Sequence, residues 1–244
     1  MKNYISIFFP HLELNALEHE ARDEWAEQIC VIVKKIGNKE RVFDANKNAR
    51  RLGITQNQSL SKALACFDAL RVYPHNIEFQ TKKLRKLARF CLKYSPQIMI
   101  TNHDRLLLDA TGCSHLYGGN DGLLQHIQYD LSELGYNTQI AMANNMRAAN
   151  AFTHQTKINN YILHQNQQIQ RDALLQLPIE YLHIDAETLI QLERVGLVKI
   201  NQLLPIKSAA LLKRYGTVLM QHLNQALGHE AQAFQAIKFS HIYR

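Results

Sequence analysis

Between residues 4 and 154, short apolar runs of strand type alternate with stretches of helical spacing; beyond residue 165 the strand signals stop. A sheet-forming part followed by an all-helical part makes this an α+β chain. Tyr4-Ile5-Ser6-Ile7-Phe8-Phe9 is β-branched and aromatic and ends at Pro10, which predicts a strand buried on both faces. Residues 11–22 bring Leu14, Leu17 and Ala21 to one side, as a helix does. A second strand is expected at 29–36, a turn at Gly37-Asn38-Lys39-Glu40, and a return at 41–43. A short helix over 46–52 stops at Gly53, Ser59 caps another, and 70–73 is a strand closed by Pro74.

The clearest long helix spans 76–94, with Leu84, Leu87, Ala88, Cys91 and Leu92 on one stripe. Lys82, Lys83, Arg85, Lys86, Arg89 and Lys93 occupy much of the rest, a pattern that usually means a solvated face. Strands at 97–101 and 106–110 follow, then a helix over 122–134 closed by Gly135, a strand at 138–143 and a helix over 146–154. With 25–73 set aside as an insertion, the order is strand, helix, strand, strand, helix, strand, the ferredoxin-like split βαβ. The Gln-rich stretch 165–170 is expected to be a linker. Beyond it, Leu-rich helices pair around tight turns at Gly196 and Gly216, the plan of helix-hairpin-helix elements that hold DNA backbone without reading sequence.

Twenty-eight Lys and Arg against twenty-one acidic residues give a net charge of +7. Such a balance attracts polyanions and says nothing of fold. Cys30, Cys66, Cys91 and Cys113 form no C-x-x-C pair and sit beside apolar residues, which predicts reduced, buried thiols rather than a disulfide frame or a zinc site. No apolar run reaches the length of a membrane span, and the N-terminus lacks the pattern of a secretory signal, so a cytoplasmic, nucleoid-associated protein is expected.

The most specific string is Leu106-Leu107-Leu108-Asp109-Ala110-Thr111-Gly112-Cys113-Ser114-His115-Leu116-Tyr117-Gly118-Gly119. It resembles the ImuB-like proteins, non-catalytic relatives of the Y-family DNA polymerases. Phe8-Phe9-Pro10-His11-Leu12 with Leu14 and Ala16-Leu17-Glu18, residues 46–53, and Leu177-Pro178 resemble the same family in the same order. The resemblance implies a right hand: a ferredoxin-like palm over 1–24 and 74–165, small inserted fingers over 25–73, and an all-helical thumb over 166–244. It also implies a further little-finger domain, before which this chain stops, so a truncated or shortened relative is expected.

Active members of that family hold two divalent ions with one acid on the first strand and an Asp-Glu pair on a later hairpin; two such ions need several converging carboxylates. With Glu18 as anchor, the first-strand acid falls on Phe9 and the next polar position on His11; the pair falls on Asp104 and Arg105. Of the fingers' triphosphate-contacting Tyr and Arg, the places fall on Lys47 and Arg50. The residue that excludes a ribose 2′-OH falls on Leu14, and the palm lysine near Asn150. A non-catalytic protein without a cofactor is therefore expected.

Residue by residue, the plainer readings make Phe9 core and Asp104 a hairpin-turn residue. Asp109 would bond backbone near Thr111 or Gly112, and His103 and His115 would be lone histidines. Candidates for DNA contact are Lys199, Lys207, Lys213 and Arg214 around the thumb turns, with Arg50 and Arg51 as a second group. By resemblance, the partners are DNA, an error-prone replicative-type polymerase subunit, a RecA-like protein and the sliding clamp, with no membrane, in a damage-induced (SOS) response. The alternatives are an active polymerase with displaced acids, a simple helix-hairpin-helix DNA-binding module, and an interaction scaffold without DNA affinity.

Overall fold

The computed structural model describes residues 2–21, 25, 27–67, 69–163 and 166–239. Arg22 of the expected helix over 11–22, Gln165 of the expected linker and residues 240–244 of the expected thumb lie outside the described residues. Strand β1 (Tyr4–Phe8) leads into helix α1 (Leu12–Ala21). An inserted lobe follows, with strands β2 (Ile29–Ile36), β3 (Lys39–Ala45) and β4 (Leu70–Pro74) and helices α2 (Lys47–Arg51) and α3 (Leu60–Cys66). Next come α4 (Ile77–Cys91), β5 (Ile98–Thr101), β6 (Arg105–Asp109), α5 (Asn120–Glu133), β7 (Gln139–Ala143), α6 (Met146–Thr153) and β8 (Asn160–Leu163). Helices α7 (Gln167–Leu175), α8 (Ala186–Arg194) and α9 (Ser208–Leu227) complete the chain, with 3-10 turns at Ile179–Leu182 and Ile200–Leu203 between them.

The larger sheet has the order β5-β6-β1-β7-β8, with β1 antiparallel to both neighbours. Its first four strands reproduce the ferredoxin-like order expected from the sequence. Because side chains alternate across a strand, β1 feeds two cores. Ile5 and Ile7, with Leu106, Leu108, Ile140 and Met142, face Leu84, Leu87, Leu123 and Ile127 of α4 and α5. Tyr4, Leu107, Ala141 and Ala143 face α6 and the C-terminal helices through Phe152, Leu174, Leu192, Leu219 and Leu223. The helical part thus shares one core with the sheet. The inserted lobe has its own sheet, β3-β2-β4, and its own core around Val31, Val42, Ala49, Ile54 and Ala63.

Four expectations need correction. A fifth strand, β8, pairs in parallel with β7; only Tyr161, Ile162 and Leu163 in it are apolar, too few to show a period. The Gln-rich stretch is no linker from Gln167 onward but the start of α7, capped by the Asn166 side chain on the Gln168 and Ile169 amides. Gln170 is buried, and its Oε1 accepts from the Asn144 amide at 2.9 Å. Cys30 and Cys91 are buried, but Cys66 is exposed and Cys113 only partly covered; Cys66 ends α3 away from the face that Leu60 and Ala63 bury. Lys83 is not on the solvated face of α4: it is buried and hydrogen-bonded to Glu20.

The specific string at 106–119 ends in a 3-10 turn, Ser114–Tyr117, on which α5 is seated. A Cβ on Gly122 would lie 2.0 Å from the Tyr117 carbonyl oxygen. Gly122→Ala is therefore expected to push turn and helix apart and cost about 2 kcal/mol. Urea unfolding followed by far-UV circular dichroism measures this directly.

Candidate functional site

Two neighbouring features are built where β1 ends. The first is a cleft of about 730 Å³ between the large sheet and the inserted lobe, lined by His11, Leu14, Glu18, Lys47, Arg50 and Tyr136 among others. Pro10 ends β1 and delivers His11 to its rim. Asn46 caps α2 by accepting from the Ala49 amide at 2.9 Å, and also accepts from the Cys30 amide at 3.2 Å. That cap orients the first turn of α2, so Lys47 and Arg50 face the cleft; Arg51, on the other side of α2, is exposed and does not line it. Across the rim runs a relay: Arg50 Nη1 donates to His11 Nε2 at 2.7 Å, and His11 Nδ1 donates to Asp44 Oδ1 at 3.0 Å. Helix α1 is also tied to the segment between β4 and α4. There His75 Nδ1 donates to Glu13 Oε2 at 2.5 Å, and Glu13 Oε1 accepts from the Asn76 amide at 2.8 Å. Leu14 is buried in the cleft floor.

The second feature lies at the β1–β6 pairing, where Phe8 stands opposite Arg105. Arg105 is only 2% exposed. Strand alternation points it at α6. Its Nη1 donates to the Asn150 carbonyl and to Thr153 Oγ1, both at 2.8 Å, and its Nη2 donates to His154 Nε2 at 3.2 Å. The guanidinium also lies 4.7 Å from the centre of the Phe8 ring. His154 stacks on Tyr181 of the 3-10 turn Ile179–Leu182, with ring centres 4.4 Å apart, and faces His183 at 5.5 Å. His222 of α9 donates from Nδ1 to the Leu182 carbonyl at 3.0 Å, and Arg147 Nη1 donates to the same oxygen at 2.9 Å. A polar network therefore runs from β6 through α6 into the C-terminal helices.

Electrostatics follow from that burial. Loss of water lowers Arg105 to about 10, the neighbouring Asp104 opposing the shift. Burial, then the charge of Arg105, pushes the His154 imidazole down to about 4. Burial, then Arg105, takes His183 down to about 3. Both rings are neutral at pH 7, which lets His154 accept from Arg105. Burial raises the Asp104 carboxyl despite Arg105, and its Oδ1 is enclosed without a hydrogen-bond partner.

The four positions that the sequence places at a degenerate metal site thus diverge. The Phe9 ring is 1% exposed, on the opposite face of the sheet from Arg105, edge-on to Tyr136 at 6.1 Å. The Phe9 amide donates to the Asp104 carbonyl at 2.9 Å, so the two are close only through backbone. His11 belongs to the cleft relay and Arg105 to the buried network. Two divalent ions need several carboxylates aimed at one point; of the four positions only Asp104 is a carboxylate, its neighbour Arg105 is a cation and Phe9 is apolar, and these residues do not fit such a pair. Among the described residues no three His, Cys, Asp or Glu side chains converge so as to hold a metal ion.

The remaining expectations are local. Asp109 Oδ1 accepts from the Thr111 amide at 3.0 Å, and His115 Nδ1 donates to the Gly112 carbonyl at 2.8 Å. Asn150 is turned away from the cleft, its side chain accepting from Ser6 Oγ at 2.7 Å. Lys199, Lys207, Lys213 and Arg214 are all exposed. Lys199 precedes the turn Ile200–Leu203, Lys207 precedes α9, and Lys213 and Arg214 lie just before Gly216, where α9 breaks at φ 80°. The sequence pattern did not reveal the partners of Arg105 or the His11 relay. The one available cue was a cation inside an apolar run, Asp104-Arg105-Leu106-Leu107-Leu108, since a strand arginine there has to find buried acceptors.

Similarity to known proteins covers most of the chain. The impB/mucB/samB family description matches residues 8–154. Protein ImuB of Caulobacter vibrioides (strain NA1000 / CB15N) is 30% identical over 182 residues, 75% of this chain and 39% of that protein. DNA polymerase IV of Clostridium kluyveri is 25% identical over 182 residues, 72% of this chain and 44% of the polymerase. The chain spans less than half the length of either relative. Among solved structures, an insertion ternary complex of Dbh DNA polymerase superposes with a TM-score of 0.76 at 19% identity, covering 96% of this chain and 69% of that one. DinB from Sulfolobus solfataricus superposes with a TM-score of 0.74 at 19% identity and the same coverage. At that identity the likeness establishes the fold. No helix among the described residues is long and apolar enough to cross a membrane.

Proposed function

Because the chain belongs to the impB/mucB/samB family, we propose that it is a non-catalytic accessory of translesion synthesis that holds DNA non-specifically. In this reading its palm comprises 1–24 and 74–165, its fingers 25–73 and its thumb 166–244. It works in the cytoplasm on the nucleoid during damage-induced mutagenesis, bridging an error-prone replicative-type polymerase subunit, a RecA-like partner and the sliding clamp. The observation that carries the reading is the inward commitment of Phe9 and Arg105. By the resemblance, both stand at positions where active relatives carry carboxylates, and both side chains are buried on opposite faces of the large sheet. Lys47 and Arg50 keep a cationic rim on the cleft, which suits phosphate without supplying chemistry.

DNA contact is assigned to Lys199, Lys207, Lys213 and Arg214, with Arg50 and Arg51 as a weaker group. Exposed cations at turns and helix starts suit phosphate oxygens, and each phosphate contact adds about 0.9 to the slope of log affinity against log salt. The expected result is no primer extension with magnesium or manganese, together with salt-sensitive binding of a labelled primer-template. Joint replacement of the four thumb cations by alanine should flatten the salt slope by up to about 3.6. Incorporation that disappears in Asp104→Ala would overturn the non-catalytic reading in favour of an active polymerase with displaced acids; failure to bind DNA at low salt would favour a pure interaction scaffold. Point variants are the right tool. Removing 166–244 would expose the sheet face that Tyr4 and Leu107 share with the C-terminal helices, and loss of binding would then report only misfolding.

A further inference from the structure

We propose that the outer stripe of α4, with the C-terminal segment beside it, is a docking groove for an acidic, partly apolar peptide segment of a partner protein. Lys82, Arg85, Lys86 and Arg89 follow one another at helical spacing and form a single exposed stripe of about two turns. Among the described residues none of the four has an ion-pair partner, whereas the flanking Lys83 and Lys93 are held by Glu20 and Asp130. Glu20, which feels the charge of Lys86, is already engaged by Lys83. Like charges three and four residues apart destabilise a helix by a few tenths of a kcal/mol per pair, and among the described residues no ion pair offsets this.

The stripe is also one wall of a groove. The Ile237 amide donates to the Ile98 carbonyl at 2.8 Å, which lays the C-terminal segment along the edge of β5. Phe239 then lies under Arg89, 5.7 Å from the guanidinium to the ring centre. Between them is a space of about 290 Å³, lined by the four cations, Lys238, Ile237 and Phe239. Carboxylates at helical or extended spacing would meet the cations, and an apolar residue would meet Ile237 and Phe239. Nucleic acid fits less well. The apolar wall offers nothing to phosphates, and α4 packs on the face of the large sheet opposite the C-terminal helices, so a duplex held by the thumb turns would lie across the sheet from this groove.

The test is fluorescence anisotropy with a labelled peptide of repeated Glu-Glu-Leu units, a Glu-Glu-Gly version, and a labelled single-stranded oligonucleotide. The protein is compared with a groove variant, Lys82→Glu/Arg85→Glu/Lys86→Glu, and with Lys35→Glu/Lys39→Glu/Lys62→Glu, which changes net charge equally elsewhere. Peptide affinity should fall at least about tenfold in the groove variant and less than about twofold in the control, and the leucine peptide should bind better than the glycine one. Equal losses in both variants, no peptide binding by the parent protein, or indifference to leucine would overturn the assignment. So would loss of oligonucleotide binding confined to the groove variant, which would place phosphate there instead. If thermal melting shows the groove variant misfolded, the same comparison with glutamine at the three positions decides it.

Discussion

Installing acids at the two lost positions, Phe9→Asp with Arg105→Glu, is expected to unfold the protein rather than create a metal site. Phe9 is enclosed by Leu12, Tyr136 and the other apolar side chains beneath α1, and an ionised carboxylate there has no donor to meet it. Arg105 satisfies the Asn150 carbonyl, Thr153 Oγ1 and His154 Nε2 at once; glutamate would strip those acceptors and add an anion beside the enclosed carboxyl of Asp104. Breaking a buried charged network costs about 3–5 kcal/mol, and an unpaired buried polar group adds about 2 or more. Together these rival the whole stability of an ordinary domain, about 5–15 kcal/mol. Arg105→Met, apolar and of similar length, should cost less, about 2–4 kcal/mol, because it removes the donor without adding a charge. Urea unfolding by circular dichroism, with primer extension beside it, measures both. A folded double variant that extends a primer in magnesium would show that these positions are not committed to the core.

Acid should weaken the junction between the sheet and the C-terminal helices well before carboxylates titrate. His154 and His183 have folded values lowered to about 4 and about 3, against an ordinary value near 6.5 in an unfolded chain. The unfolded state therefore binds more protons than the native state from about pH 6.5 downward, and stability falls as pH drops through that window. Above about pH 7 both rings are neutral in both states and contribute no slope. Full coupling would give about 1.4 kcal/mol per pH unit per ring; partial solvent access reduces this, so a loss of about 1 kcal/mol per ring by pH 4.5 is expected. His222, lowered by burial and then Arg147, has the same sign. Asp104, raised by burial, has the opposite sign. Glu20 and Asp130, lowered by their lysine bonds, lose stability as pH falls below the ordinary carboxylate range. The downward slope between about pH 5 and 6.5 thus comes from the histidines. His183 has φ 55°, a conformation asparagine also accepts, so His183→Asn should flatten this part of the curve. Identical slopes for parent and variant, measured by urea unfolding at pH 7.5 and 5.0, would refute the assignment.

Much of the architecture was legible because it is written locally. The buried β1, the apolar stripe of α4 from Leu84 to Cys91, the Ser59 cap and the turns at Gly196 and Gly216 each depend on neighbours a few residues away, and each stands where its pattern puts it. Leu92, expected on that stripe, is instead exposed past the helix end, and Asn46, expected as a helix residue, is the cap of α2. Resemblance in the string at 106–119 added the family, which the match over 8–154 supports. Phe9 as core and Asp109 as a backbone anchor were also readable, since an aromatic at a strand end and an aspartate two residues before a turn amide have few other uses. By contrast, β8 and α7 were missed because their stability comes from what they pack against. The short β8 is held by β7, and the polar start of α7 is held by Asn144.

By itself, then, the sequence determined the ferredoxin-like order with its inserted lobe, the helical C-terminal part, and the lack of acids on the first strand. What only the tertiary structure decided is where the polar side chains went. Arg105 finds acceptors 45 to 49 residues away on α6, and His11 meets Asp44 and Arg50 across the cleft, 33 and 39 residues on. Periodicity states which face of an element is apolar, because burial is a property of one element against water. Which donor meets which acceptor depends on two elements and the angle between them, and that angle is set only when both cores close.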